Sequence, residues 1–423
     1  MSLRVANLRV AMLSVHTCPL AALGGKETGG MNVYVRELSR ELGRMGMTID
    51  VFTRSQNAEI PRVVALGEAA QVVHVAAGPE APVAREHVWN HLDEFVDRVD
   101  AWRLAQGIDY DLVHSHYWLS GVAALALRER WDVPVLHMSH TLGRLKNAAA
   151  RGPDEREPAI RIAEETRLLG AVDRLVAANV VERLHLVRYY EADPARIAVV
   201  PCGVDTALFT PGEPDDARRR LGLDAGPLLL YVGRLAPIKG LITLLDAIAR
   251  LRERGCAVRL LVVGGEADEP RDGHEAHLRQ RVERLRLNDR VTFVGHQPQQ
   301  ALRDFYVAAD ATVLPSYYES FGMVALEAMA CGSPVIASRV GGLTTTVRDG
   351  VTGFLVPDGD AEALADHVER LLSDGDLRWR LGREGVRWAA QHRWPCVAEA
   401  ICREYAGLEP RAGAHLAAAR CHS

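Results

Sequence analysis

The 423-residue chain has no CxxC pair among its seven cysteines (Cys18, Cys202, Cys256, Cys331, Cys396, Cys402 and Cys421) and no metal-ligand spacing around them. That excludes a zinc module and a disulfide scaffold, and points to reduced thiols in a cytoplasmic protein. Excess positive charge is missing too: 50 Lys+Arg against 55 Asp+Glu leave −5, so nothing in the balance calls for nucleic acid. No apolar run approaches the roughly 20 residues of a membrane span. The start, MSLRVANLRVAMLSVHT, is broken by Arg4 and Arg9 and lacks a small-residue cleavage site, so neither a signal peptide nor an integral membrane contact is expected. No GxGxxG is followed by an acidic residue about 20 positions on, which argues against a dinucleotide-dependent oxidoreductase or epimerase. A Walker loop is absent as well, because Leu20 stands five residues before Gly25 and Glu27 follows Lys26.

What is present is 48% hydrophobic and 25% charged, the composition of a soluble globular protein, at a length that asks for about two or three domains. Short apolar runs alternate with amphipathic segments: VAMLSV (10–15), TIDVFT (48–53), VVHVAA (72–77), DLVHSH (111–116), VPVLHMSH (133–140), RLVAAN (174–179) and IAVVP (197–201). Rich in Val, Ile and Leu with little alternation, they read as strands buried on both faces. The pattern starts afresh with LLLYVG (228–233), RLLVVGG (259–265), VTFVG (291–295), ATVLPS (311–316) and PVIASRV (334–340). A β-α alternation run twice predicts two doubly wound α/β domains, joined at PCGVDTALFTPGEP (201–214), with ligands in the cleft between the carboxyl ends of their strands. The expected division is 1–205, 206–393, and a terminal helix with a loose tail over 394–423.

Five stretches can carry chemistry. In HTCPLAALGGKETGGMNVYV (16–35), Gly29 and Gly30 precede a helix, where backbone N–H groups and the positive helix end can meet an anion; a plain turn is the alternative. No role is assigned to Lys26 and Glu27. In GRLAPIKG (233–240), Arg234 and Lys239 lie beyond a strand end, and can hold a diphosphate as a fork and a point charge unless they are simply solvated. HSHYWLSG (114–121) and LHMSHTLGRLK (136–146) set His116, Tyr117, His140, Thr141 and Lys146 at neighbouring strand ends, which suits a hydroxyl-rich ligand better than a metal; His114 and His137 read as core histidines. In SYYESFGMVALEAMACGSP (316–334), Gly322 starts a helix that Gly332 ends, with Glu319 over its N-terminus and Glu327 one to two turns inside. Two carboxylates can clasp hydroxyls of two sugar rings, with free N–H groups between them for phosphate. Alternatively, Glu327 is an ion-pair partner of Lys239 or Arg234.

Together the E-x7-E element, GRLAPIKG, GGMNVYV, VVGG and the GGL at 341–343 resemble the retaining glycosyltransferases of family 4, over residues 10 to about 395. The resemblance implies the GT-B fold and metal-independent sugar transfer from a UDP donor, with no cofactor. It also implies a C-terminal helix that crosses back to the N-terminal domain. On it, Arg234 and Lys239 match diphosphate ligands, Glu319 and His140 match groups at the donor sugar, and Glu327 matches the ribose carboxylate. Gly30, Gly265, Phe321, Gly322, Met323 and Val324 match donor contacts, and Val294 and His296 stand where the uracil is held.

Two subfamilies are similar. One transfers N-acetylglucosamine to inositol phosphate in mycothiol synthesis, and on that match Asn32, Arg85, Tyr117, Thr141 and Arg161 surround the acceptor and its phosphate. REHVWNHLDEF (85–95) and SHTLGRLK (139–146) instead resemble sucrose-phosphate synthase and sucrose synthase, where Lys146 joins the phosphate site. Arg85 departs from the Lys that both subfamilies tend to carry, and Asn32 from the Gln of the sucrose enzymes. The favoured expectation is glucose transfer to fructose 6-phosphate, with transfer to inositol phosphate as the alternative. A non-catalytic nucleotide-sugar-binding protein is the reading from another class, and the intact Arg234, Lys239, Glu319 and Glu327 count against it.

Overall fold

A computed structural model describes residues 7–21, 28–265 and 273–408. Lys26, Glu27 and the tail beyond 408, including Cys421, lie outside the described residues.

The strands form where the unalternating Val/Ile/Leu runs stand, because a strand covered by helices on both faces has no polar side to show. The first eight are β1 (Arg9–Leu13), β2 (Thr48–Arg54), β3 (Val63–Ala65), β4 (Ala70–Val75), β5 (Leu112–His116), β6 (Val135–Met138), β7 (Arg174–Ala177) and β8 (Ile197–Val199). They make one sheet in the order β3-β4-β2-β1-β5-β6-β7-β8, parallel except for the β3–β4 pair. A second sheet holds β9 (Leu228–Val232), β10 (Arg259–Val263), β11 (Val291–Gly295), β12 (Ala311–Leu314), β13 (Val335–Ser338) and β14 (Gly353–Val356). Its order is β11-β10-β9-β12-β13-β14, parallel throughout.

The order reverses at β1/β5 in one sheet and at β9/β12 in the other, and such switch points open a crevice at the carboxyl ends of the strands. This is the GT-B arrangement. Two strands escaped the sequence pattern. β3 is a three-residue antiparallel edge piece with Val63 and Ala65 exposed, and β14 is only the buried tetrapeptide GFLV.

The chain passes between the sheets twice, and the two passages are stitched together. Val204 donates its N–H to the His392 carbonyl at 2.8 Å and bridges to Arg393. The helix Trp394–Ala406 that follows packs on the first sheet's side. Trp394 meets Tyr34 edge-on at 5.5 Å, His114 Nδ1 is 2.7 Å from the Tyr405 hydroxyl, and Arg174 pairs with Glu404 at 2.7 Å. No helix among the described residues is long and apolar enough to cross a membrane.

Candidate active site

The two domains bring helix N-termini face to face. The helix Gly30–Arg44 begins at Gly30, and the helix Met323–Ala330 begins just after Gly322. They meet so closely that a Cβ on Gly30 would stand 3.3 Å from the Met323 sulfur. Each end presents first-turn N–H groups without intrahelical partners and a partial positive charge, an arrangement able to meet an anion. Gly322 sits at φ 89°, a left-handed turn that sets the second helix at its angle.

The GGL motif explains how the Glu319–Phe321 loop holds its shape. Gly342 donates its N–H to the Glu319 carbonyl at 2.9 Å, and the Thr346 hydroxyl donates to the Phe321 carbonyl at 2.6 Å. A Cβ on Gly342 would lie 2.0 Å from the Ser320 carbonyl oxygen, so no side chain fits there. From the opposite domain, the Asn179 amide donates to that same carbonyl at 2.7 Å, and the Tyr318 hydroxyl accepts the Leu142 N–H at 3.2 Å. The loop is therefore tied to both halves.

Lys239, at the end of the turn Pro237–Lys239, reaches Glu319 Oε2 at 2.5 Å, and both side chains keep about a fifth of their surface exposed. The turn and loop are neighbours because β9 and β12 are adjacent, and Tyr317 donates its N–H to the Ile238 carbonyl at 2.9 Å. So Lys239 pairs with Glu319, not with Glu327. Arg234 follows β9 on the same loop, its carbonyl accepting the Tyr231 hydroxyl at 2.8 Å. Gly265 lies just past β10 against Leu235, and Val294 and His296 are half-buried at the end of β11.

Glu327 is the buried carboxylate, 7% exposed. The Tyr306 hydroxyl donates to its Oε2 at 2.7 Å and the Gln299 amide to its Oε1 at 3.4 Å. Burial nevertheless pushes its carboxyl up to about 7, against the opposing pull of Tyr306, Gln299 and the Arg36 charge. Arg36 belongs to the opposite domain and donates to Gln299 Oε1 at 2.6 Å, so this shell also spans the cleft.

On the first domain's side, Tyr117 and His140 adopt left-handed backbone at φ 74° and 58°, just beyond β5 and β6. Strain of that kind at strand ends clusters at functional sites. His140 Nε2 lies 2.9 Å from His116 Nδ1, and burial holds His140, His114 and His137 down at about 3 and His116 well below its ordinary value, so all four are neutral. His137 is engaged by the Ser115 hydroxyl at 2.9 Å, which with the His114–Tyr405 contact fits the expected core roles of both.

Arg85, Lys146 and Arg161, scattered over 77 positions, converge on Glu157. Arg161 Nη1 is 2.9 Å and Arg85 Nη2 3.5 Å from its carboxylate, and Lys146 Nζ forms an ion pair with it. Arg161 also donates to the Thr141 hydroxyl at 3.0 Å and lies over the Tyr117 ring at 4.8 Å. Asn32, in contrast, spends its amide locally. It accepts the Gly29 N–H at 2.9 Å and donates to Thr17 and Cys18, fully buried.

Sequence reasoning missed Arg36, Gln299, Tyr306, Glu157 and Glu165. Only the last two left a signal, as acids four residues either side of Arg161. Among the described residues no group of three or more His, Cys, Asp or Glu is placed to hold a metal ion.

This geometry sits in a chain with close relatives. Residues 28–208 match the family described as Glycosyltransferase Family 4, and residues 214–388 match the one described as Glycosyl transferases group 1. A D-inositol 3-phosphate glycosyltransferase from Frankia alni is 42% identical over 399 residues, covering 92% of this chain and 97% of the relative. The chain belongs to glycosyltransferase family 4. Another relative of the same name, from Kribbella flavida, is 41% identical over 403 residues, covering 94% of this chain and 95% of its own length. Among solved structures, the sucrose-phosphate synthase from Thermosynechococcus elongatus superposes with a TM-score of 0.88 at 36% identity, covering 95% of this chain and 98% of that one. This family 4 glycosyltransferase is therefore an enzyme of hexosyl transfer with the GT-B fold.

Proposed function

We propose that the enzyme moves N-acetylglucosamine, with retention of configuration, from a UDP donor to an inositol phosphate. The observation that carries this reading is the convergence of Arg85, Lys146 and Arg161 on the first domain's side of the site. Neutral acceptors give no reason to gather three cations; a phosphate monoester does. The relatives named for inositol 3-phosphate, at 41–42% identity over nearly the whole chain, favour this acceptor over the fructose 6-phosphate that the sequence motifs favoured.

In this reading the donor's diphosphate lies against the facing helix ends with Arg234 and Lys239, Glu327 takes the ribose, and Glu319 and His140 take hydroxyls of the donor sugar. Gly265, Val294 and His296 form the nucleoside end, and Thr141 and Tyr117 the acceptor end. As the glycosidic bond breaks, charge grows on the diphosphate, where fixed cations and helix dipoles stabilise it without reorganising. No metal is needed for that work.

Glucose transfer to fructose 6-phosphate is the second reading, favoured by the 36% identity to a sucrose-phosphate synthase and by Lys146 in SHTLGRLK. A product assay crossing UDP-glucose and UDP-N-acetylglucosamine with inositol 3-phosphate and fructose 6-phosphate separates them. Product only with UDP-glucose and fructose 6-phosphate would overturn the first reading, and no turnover of either donor would revive a binding-only role.

A further inference from the structure

We propose that Glu157 is an internal surrogate for the acceptor's phosphate: its carboxylate holds the cation cluster, and a phosphorylated acceptor binds by displacing it. The inference rests on reading that cluster as the acceptor-phosphate subsite.

Glu157 and Glu165 both touch the cluster, and they are held differently. Glu165 accepts Arg161 Nε at 2.6 Å, the Tyr190 hydroxyl at 2.6 Å and the Gly143 N–H at 2.8 Å, so hydrogen bonds from three separate segments lock it in place. Among the described residues, the contacts to the Glu157 carboxylate are with cations: Lys146, Arg85 and Arg161. Burial alone would raise its carboxyl, but Arg161, Arg85 and Lys146 outweigh that and hold it down at about 2, so it is ionised at any working pH. A phosphate monoester dianion taking the place of this carboxylate would meet the same three cations.

Displacement needs a side-chain rotation and no loop opening. The Glu157 backbone is pinned by Asn147, whose Oδ1 accepts its N–H at 2.6 Å and whose amide donates to its carbonyl at 3.4 Å. Beside the cluster, His16 Nδ1 and the Tyr117 hydroxyl are buried with no well-formed hydrogen bond among the described residues, so polar groups await acceptor hydroxyls next to the phosphate position. The consequence is selectivity. A neutral polyol cannot replace a carboxylate held by three cations, whereas a dianion can.

The test titrates the full chain with inorganic phosphate by calorimetry, as wild type, Glu157→Gln and Lys146→Met. Glu157→Gln should bind phosphate on the order of tenfold more tightly, because a competing unit charge a few ångströms away is gone. Lys146→Met should bind more weakly. In chloride Glu157→Gln should melt below wild type and recover more than wild type when phosphate is added. If Gln prevents folding, Glu157→Asp, with its shorter reach, should still gain affinity over wild type. Phosphate binding that weakens in Lys146→Met but is unchanged or weaker in Glu157→Gln overturns the surrogate role alone. No phosphate binding to wild type, with no effect of Lys146→Met on the acceptor KM, overturns the subsite reading beneath it.

Discussion

Replacing Glu327 by Gln should remove the pH dependence that this one side chain imposes on stability. Burial raises its carboxyl from the ordinary 4.5 to about 7 in the folded chain. The gap corresponds to about 3 kcal/mol. Because the folded chain binds this proton more tightly than the unfolded chain, the contribution is fully present below about 4.5 and is lost as pH rises through about 7. Gln keeps the shape and a polar partner for Tyr306 but never charges. Glu327→Gln should therefore equal or fall below wild type at pH 5 and exceed it at pH 8, with the difference moving by about 2.5 kcal/mol across that range. Urea midpoints of both proteins at pH 5, 6, 7 and 8 measure it. Glu182, also pushed up to about 7 by burial, stays in both proteins, so its slope cancels in the difference. Parallel curves from pH 5 to 8 would refute the burial argument. The same charge bears on the donor. If ribose hydroxyls bond the ionised carboxylate, UDP-N-acetylglucosamine affinity should fall about tenfold at pH 6 and stay flat in the Gln variant.

Other perturbations read other parts of the site. Lys239→Ala should cut kcat by about 100-fold or more while the melting temperature moves little, since its pair with Glu319 is partly exposed; unchanged turnover sinks its assignment to the leaving diphosphate. Gly342→Ala should weaken donor binding, because its Cβ would strike the Ser320 carbonyl and deform the loop carrying Glu319; a normal donor KM would show that the loop's shape is not critical. Activity should survive EDTA, and a loss restored by Mg²⁺ would refute metal-independent charge stabilisation.

Most of the fold was legible because parallel sheets covered on both faces write themselves as apolar runs; β5, β9 and β12 each stand within their run, and β1 starts one residue before its own. β3 and β14 were not, since three or four residues carry no period. The loops bearing Lys239, Glu319 and Gly322 could be picked out because each is a contiguous motif at a strand end. Their partners could not. Glu327 owes its environment to Tyr306, Gln299 and Arg36, up to 291 positions away, and no local pattern points to them. Contact across the chain likewise decided that Lys239 meets Glu319, whereas Asn32 turns inward to cap its own helix through a neighbour three residues away.

Both halves of the site answer the same physical problem. In the proposed reading these cations serve phosphates and stay partly buried, and a partly buried cation without a counter-charge is costly. Lys239 leans on Glu319, and Arg85, Lys146 and Arg161 lean on Glu157. The two carboxylates then part ways. In the proposed reaction Glu319 stays in use when Lys239 turns to the diphosphate, because donor-sugar hydroxyls lie within its office. Glu157 has no second task once phosphate takes its cations, so its departure is a pure exchange of one anion for another. Neutralising each carboxylate should thus have opposite effects: Glu319→Gln should lower kcat, whereas Glu157→Gln should lower the KM for a phosphorylated acceptor. Two variants that both simply lose turnover would mean that the cations, left without their carboxylates, no longer hold the geometry on which either substrate depends.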